Sequence, residues 1–211
     1  MALVKYNNNS LSAITSASSL PTGAMTLIKS QTASSSSTIS FVDGTSDVVL
    51  DSTYPIYLFK FISIHPSAEA DLQFQGNAAG GSGYNETITS TFFRSYHIEA
   101  DSDTILVYST GHDLAEGTGF STITDGIGSA SSTVNNDDSA SGELWLFNPS
   151  STTYVKHFIA RVNSYGNYPI SVDSHIAGYC NVVAAIDAVQ FKYDSGNIES
   201  GTIKLYGIKD S

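Results

Sequence analysis

Short runs of residues with a period of two dominate this sequence from residue 24 onward. The strongest run covers residues 54–64, where apolar side chains occupy both alternating faces. Alternation of this kind is typical of β-strands, and apolar residues on both faces indicate a strand that is covered on both sides. We therefore predict a central strand at residues 54–64.

About ten further runs resemble short strands, and they are separated by Gly, Ser, Asn and Asp rather than by helices. The predicted strands are residues 25–28, 38–42, 71–75, 91–96, 104–108, 142–147, 153–162, 175–179, 188–193 and 202–208. This pattern predicts an all-β fold, an antiparallel jelly-roll-like β-sandwich over residues 24–211. A chain of 211 residues is long enough to bury one such core.

Residues 1–23 differ from the body, because their apolar side chains are isolated among Ser, Thr and Asn. Such a segment cannot bury enough surface to order itself, so it is either a floppy terminus or an arm that orders on a neighbouring subunit. Its spaced apolar residues favour the arm. We predict an extended N-terminal anchoring arm over residues 1–23, with partner contacts made by Val4, Tyr6, Leu11 and Ile14.

The charge balance is strongly acidic, with 9 Lys and Arg against 20 Asp and Glu, for a net charge of -11. Scattered basic residues disfavour nucleic acid and anionic membranes as partners, because both require clustered Lys and Arg. Residues 99–143 hold many of the acids and neither Lys nor Arg, so we expect residues 109–141 to be the most exposed part of the body.

No residue pattern predicts a catalytic, cofactor or metal site. Asp101, Asp103 and the acids at 137–138 lack the spacing of a calcium loop, so we interpret them as turn residues. His112 stands beside Asp113 in a loop, but there is no nucleophile elbow, and we expect no hydrolytic triad. We therefore predict a protein without cofactor that is not an enzyme, with an enzyme as the third-ranked alternative.

Aromatic residues in loops offer a second kind of site. Tyr84, Tyr165 and Tyr168 lie in Gly- and Asn-rich segments, where a ring either folds back on its own sandwich or stacks on a sugar. They are the possible glycan-binding residues. Trp145 lies between Leu144 and Leu146, and we expect it in the core.

Four segments carry a resemblance: MALVKYNNNS at 1–10, MTLIKSQTA at 25–33, FNPSSTTYVK at 147–156 and SGNIESGTIKLYGI at 195–208. They resemble small structural virion proteins of tailed phages, especially marine and cyanobacterial ones. The resemblance implies a β-sandwich on the virion, either a capsid decoration (cement) protein or an appendage protein. It supplies no functional residues.

The expected function is accordingly that of a phage virion structural protein attached through its N-terminal arm to a major capsid or tail protein. We expect a homo-oligomer, with a trimer as one option. The N-terminus has no apolar segment of the kind that directs secretion, so we expect assembly in the host cytoplasm and a final location in the virion. The alternative is a tail-associated, receptor-binding module that recognises a host glycan.

Overall fold

The computed structural model describes residues 24–125, 134–166 and 169–209. These residues form twelve β-strands. The strands are β1 (Met25–Thr32), β2 (Ile39–Val42), β3 (Ile56–Pro66), β4 (Leu72–Ala78), β5 (Ile88–Ile98), β6 (Thr104–Tyr108), β7 (Ser121–Thr122), β8 (Ser139–Phe147), β9 (Lys156–Gly166), β10 (Ile170–Cys180), β11 (Ile186–Tyr193) and β12 (Ile198–Ile208).

Two antiparallel sheets pack face to face. The larger sheet has eight strands in the order β1-β12-β3-β8-β9-β10-β5-β6, and the smaller has four in the order β2-β11-β4-β7. The prediction of an all-β antiparallel sandwich is confirmed, while the jelly-roll connectivity stays a prediction. The described residues include no helix long and apolar enough to cross a membrane.

The core between the sheets is built on aromatic rings. Phe191 of the smaller sheet meets Phe59 and Phe61 of the larger sheet edge to face, with ring centroids 5.2 Å apart in both pairs. Phe74 and Phe158 form a similar pair at 4.7 Å. Each such pair adds about 0.5–1.5 kcal/mol to the free energy gained by burial, so these contacts fix how the two sheets lie on each other.

The prediction for residues 54–64 is only partly correct. β3 is an interior strand, between β12 and β8, and Tyr57, Phe59 and Phe61 are buried in the core. The opposite face is not covered along its whole length, because Ile62 is 43% exposed. The expectation for Trp145 is wrong: since Leu144 and Leu146 face the core, strand alternation turns Trp145 to the other face, where it is half-buried.

The expectation that residues 109–141 are exposed is also wrong in part. Residues 121–125 are all buried, and so is Asp138. Asp125 forms an ion pair with Arg94 of β5, and Asp138 accepts a hydrogen bond from the backbone N–H of Asn135 at 2.8 Å. A paired carboxylate can be buried where an unpaired one cannot, and the acidic composition alone does not reveal the pairing.

The predicted arm, residues 1–23 with Val4, Tyr6, Leu11 and Ile14, lies outside the described residues. Tyr168 lies outside them as well.

Candidate functional site

The eight-stranded sheet turns one of its faces away from the smaller sheet, and we call this its outer face. Strand register aligns the outer side chains in rows across the sheet. One row runs from Leu27 through Tyr206, Leu58 and Trp145 to Ile159. Every member of this row is apolar or aromatic, although outer faces of antiparallel sheets ordinarily carry polar residues.

A second apolar row lies beside the first, nearer one end of the sheet. It runs from Met25 through Ile208 and Ile56 to Phe147. Together with Tyr179, the two rows form what we call the apolar band. Its members are Met25, Leu27, Ile56, Leu58, Trp145, Phe147, Ile159, Tyr179, Tyr206 and Ile208.

Several side chains of the apolar band are open to solvent. Leu27 and Ile159 are each 50% exposed and Met25 is 49% exposed. Next to Ile159, the band forms part of the wall of a shallow depression of about 450 Å³, which Phe147, His157 and Tyr179 also line. Leu58, at the centre of the first row, is only 2% exposed, so the open side chains lie towards the two ends of the band, on β1 and on β9. Exposed apolar side chains grouped in this way mark interaction sites more often than they mark ordinary protein surface.

A buried lysine holds together two loops at the same end of the sheet as the depression. Lys156, at the start of β9, donates hydrogen bonds from Nζ to the backbone oxygens of Tyr154, Val182 and Val183 at 2.7–3.3 Å. Burial lowers the pKa of this amine, and three carbonyl oxygens offset the loss of hydration. This side chain therefore links the loop before β9 to the loop after β10.

The next row across the sheet is charged. Lys60 lies 3.7 Å from Glu143, and Glu143 also accepts a hydrogen bond from the indole nitrogen of Trp145 at 3.0 Å. Arg161 binds Asp173 through two of its nitrogens, at 2.8–3.2 Å. The hydrogen bonds from Arg161 lower the pKa of the Asp173 carboxyl. This row gives the apolar band a polar border, as in the rim of a protein interface.

Exposed acids lie at the far end of the same sheet. Glu99, Asp101 and Asp103 belong to the turn between β5 and β6, and Asp137 precedes β8. They are separated from the apolar band by the charged row. The outer face is therefore polarised, apolar towards one end of the strands and acidic towards the other.

A second polar cluster surrounds His112. Its Nδ1 lies 2.7 Å from Ser109 Oγ and 3.6 Å from Asp125 Oδ2, and its Nε2 lies 3.3 Å from Asp71 Oδ2. Arg94 contacts the same Asp125 carboxylate. Sequence reasoning missed this cluster, because its members come from four separate segments and only the turn from Ser109 to His112 is local.

The electrostatics of the cluster indicate its chemistry. The hydrogen bond to Asp71 raises the pKa of His112, while burial raises the pKa of Asp125. When His112 is protonated, the imidazolium donates from both nitrogens and Ser109 Oγ accepts a hydrogen bond. A serine in that role is not being activated as a nucleophile, which needs a neutral base. The arrangement fits a structural ion cluster that joins the start of β4, β5 and the segments after β6 and after β7.

The described tyrosines of the predicted glycan site do not come together. Tyr84 is half-buried and its ring lies 6.5 Å from that of Phe120, which is next to Lys192 of the smaller sheet. Tyr165 is half-buried at the far end of β9, opposite Ser139 and Ser171 of the larger sheet. The structure places these two rings on different parts of the body.

The acids at 101 and 103, interpreted above as turn residues, make local contacts. Asp101 lies 3.1 Å from His97 Nε2, and Asp103 accepts a hydrogen bond from the Tyr96 hydroxyl at 2.7 Å. Among residues 24–125, 134–166 and 169–209, no group of three or more His, Cys, Asp or Glu is placed to hold a metal ion.

Fold and site together define an all-β sandwich protein with a polarised, partly apolar sheet face. No protein family model, curated protein or solved structure matches this chain.

Proposed function

We propose that this protein is a structural protein of a phage virion, a capsid decoration or appendage protein that is held on a neighbouring virion protein by its outer face. The observation that carries the proposal is the apolar band. Its exposed side chains are unfavourable in water, and burial against a partner would yield about 25 cal/mol for each Å² of apolar surface covered.

The position of the first described residues supports the same orientation. The chain enters the body at Met25, which is itself a member of the apolar band. An arm formed by residues 1–23 would therefore begin at the attached surface and could extend the contact over the partner. The acidic loops at the other end of the sheet would point away from it, where like charges keep assembled particles apart.

The test is co-sedimentation of the purified protein with virions or empty heads that lack it. Ile159→Lys places a charge at an exposed position of the apolar band, and the variant should no longer co-sediment. Ser171→Lys adds the same charge to the same face outside the band, and this control should co-sediment like the wild type. Equal binding by both variants would contradict the proposal.

The arm is tested separately in the full-length chain. Replacing Leu11 and Ile14 together by Asp should weaken co-sedimentation, since it removes two apolar anchors, whereas Ser12→Asp should not. If the double variant bound as tightly as the control, attachment through the arm would be ruled out. Binding to host polysaccharide that is lost in Tyr165→Ala, without co-sedimentation by the wild type, would favour the receptor-binding alternative.

A further inference from the structure

The eight-stranded sheet ends in β6, whose outward backbone groups have no hydrogen-bond partner among the described residues. Ser109 N–H donates to Phe92 O at 2.9 Å and Ile98 N–H donates to Asp103 O at 3.1 Å, which fixes the residues of β6 that bond to β5. By alternation, the N–H and C=O of Thr104, Leu106 and Tyr108 point away from the sheet.

The side chains of β6 make this edge unusual. Leu106 is 73% exposed, Tyr108 is 48% exposed and Ile105 is 40% exposed, and the strand contains no charged residue. Natural proteins ordinarily protect an edge strand with charges, proline or a bulge, because an open apolar edge is a template for another strand.

The opposite edge of the sheet, β1, contains one charged residue, Lys29, and a bulge after Leu27, but the residues before the bulge are open. Lys209 N–H donates to Ala24 O at 3.0 Å, and Ala33 N–H donates to Gly201 O at 2.9 Å. Since Ala24 bonds to β12 and bonding alternates along the strand, the N–H and C=O groups of Met25 and Leu27, which lie before the bulge, point outward. Both residues are also half-exposed on the outer face.

We propose that β6 of one copy pairs in antiparallel orientation with β1 of a second copy, so that Leu106 lies opposite Leu27 and Tyr108 opposite Met25. In this pairing the outward N–H and C=O groups of Leu106 and Tyr108 form hydrogen bonds with those of Leu27 and Met25. It also places all four side chains on the outer face, because Leu106 and Tyr108 align with outer-face residues of β5 in the same way as Leu27 and Met25 align with those of β12.

Two further features favour a second copy of this chain as the partner of each edge strand. The sheet has eight antiparallel strands, so its two edge strands run in opposite directions, and β6 of one copy meets β1 of the next antiparallel when the copies stand side by side. Charge is complementary as well, because the proposed register brings the acidic turn before β6, with Asp101 and Asp103, next to the part of β1 that contains Lys29. The contact uses a different patch on each copy, so repetition closes a ring or builds a filament.

The interface is tested by molar mass from light scattering of the full-length protein over a range of concentrations. The wild type should reach at least twice the 22.4 kDa of one chain. Leu106→Lys and Leu27→Lys should each fall to the mass of one chain, since each breaks one of the two edges. Ser171→Lys, on the same sheet away from either edge, should keep the mass of the wild type.

A mixture of the two defective variants gives the sharpest result. The Leu106→Lys copy keeps an intact β1 and the Leu27→Lys copy keeps an intact β6, so an equimolar mixture should form a complex of two chains and stop there. An interface made from the same patch on both copies would not be restored by mixing. Far-ultraviolet circular dichroism that matches the wild type establishes that both exposed substitutions leave the fold intact.

Leu106→Pro supplies a second variant. The Leu106 N–H points away from β5, so proline removes no bond within the sheet and should abolish association as lysine does. A wild type that stays at the mass of one chain, variants that keep the mass of the wild type, or a mixture that forms no complex would each overturn the proposal. No virion is used, so these outcomes are independent of the proposed function.

Discussion

Replacement of Arg94 by Met tests whether the ion cluster between the sheets stabilises the body. Asp125 is 6% exposed, and Arg94 supplies its closest opposite charge. Without the guanidinium, the carboxylate would face Asp71 with only His112, 3.6 Å away, as compensation. Removing one partner of a buried pair costs about 3–5 kcal/mol, and we expect the lower end, about 3 kcal/mol, because water can reach the Arg94 side chain, 28% exposed.

The assay is urea unfolding followed by circular dichroism at pH 7, with thermal unfolding as a second measurement. A loss of about 3 kcal/mol corresponds to a fall in Tm of roughly 6–12 °C for a chain of this size. Met keeps most of the aliphatic stem of Arg94, so the loss reports mainly on charge. The double variant Arg94→Met, Asp125→Asn should recover a large part of the stability, since no uncompensated charge remains.

The chain offers a matched control in Arg161→Met. Arg161 also forms an ion pair with an aspartate, but its side chain is 66% exposed, so its removal should cost less than about 1 kcal/mol. Equal losses for the two Arg variants, or a double variant no more stable than Arg94→Met alone, would show that the reasoning from burial is wrong.

Other predictions concern pH, close packing and thiol chemistry. The hydrogen bond to Asp71 raises the pKa of His112, so the stabilising contribution of His112 is complete below about pH 6.5 and is lost as the pH rises through its raised pKa in the folded protein. Urea unfolding from pH 5.5 to 9 should show this fall in the free energy of unfolding in the wild type and not in His112→Gln. In Gly142→Ala the new Cβ would lie 2.6 Å from Val162 Cα, so the free energy of unfolding should fall by about 1–3 kcal/mol. A Cβ at Gly119 meets no atom within 4 Å, so Gly119→Ala should unfold like the wild type in the same assay. Burial raises the pKa of the Cys180 thiol to about 12, so an aromatic disulfide reagent should react with it only after urea is added; fast reaction with the folded protein would contradict its placement.

The strands were predictable because alternation is local, whereas several side-chain positions were not. The leucine neighbours of Trp145 suggest a core position, but adjacent residues of a strand face opposite ways, and the alternation itself predicts the outer face. Asp125 belongs to an acidic segment, which predicts exposure. Its burial depends on Arg94, which is distant in the chain and comes close only when β5 is in place.

The apolar band could not be predicted from the sequence for a related reason. Its members come from six strands, and each strand contributes only one or two of them. They form one surface because the register of β1, β12, β3, β8, β9 and β10 aligns them, and no local pattern encodes that register.

The incomplete covering of β3 connects its sequence pattern with the apolar band. Residues 56–62 are apolar on both faces apart from Lys60, which is the pattern of a strand buried on both sides. Within one chain, the smaller sheet covers the face with Tyr57, Phe59 and Phe61, whereas the other face is covered only in part, since Leu58 is 2% exposed but Ile62 is 43% exposed. The sequence pattern and the single chain agree if the second cover is supplied by another molecule. On this argument, hydrogen exchange of the β3 amides should slow when the protein joins its assembly, and unchanged exchange there would place the attached surface elsewhere.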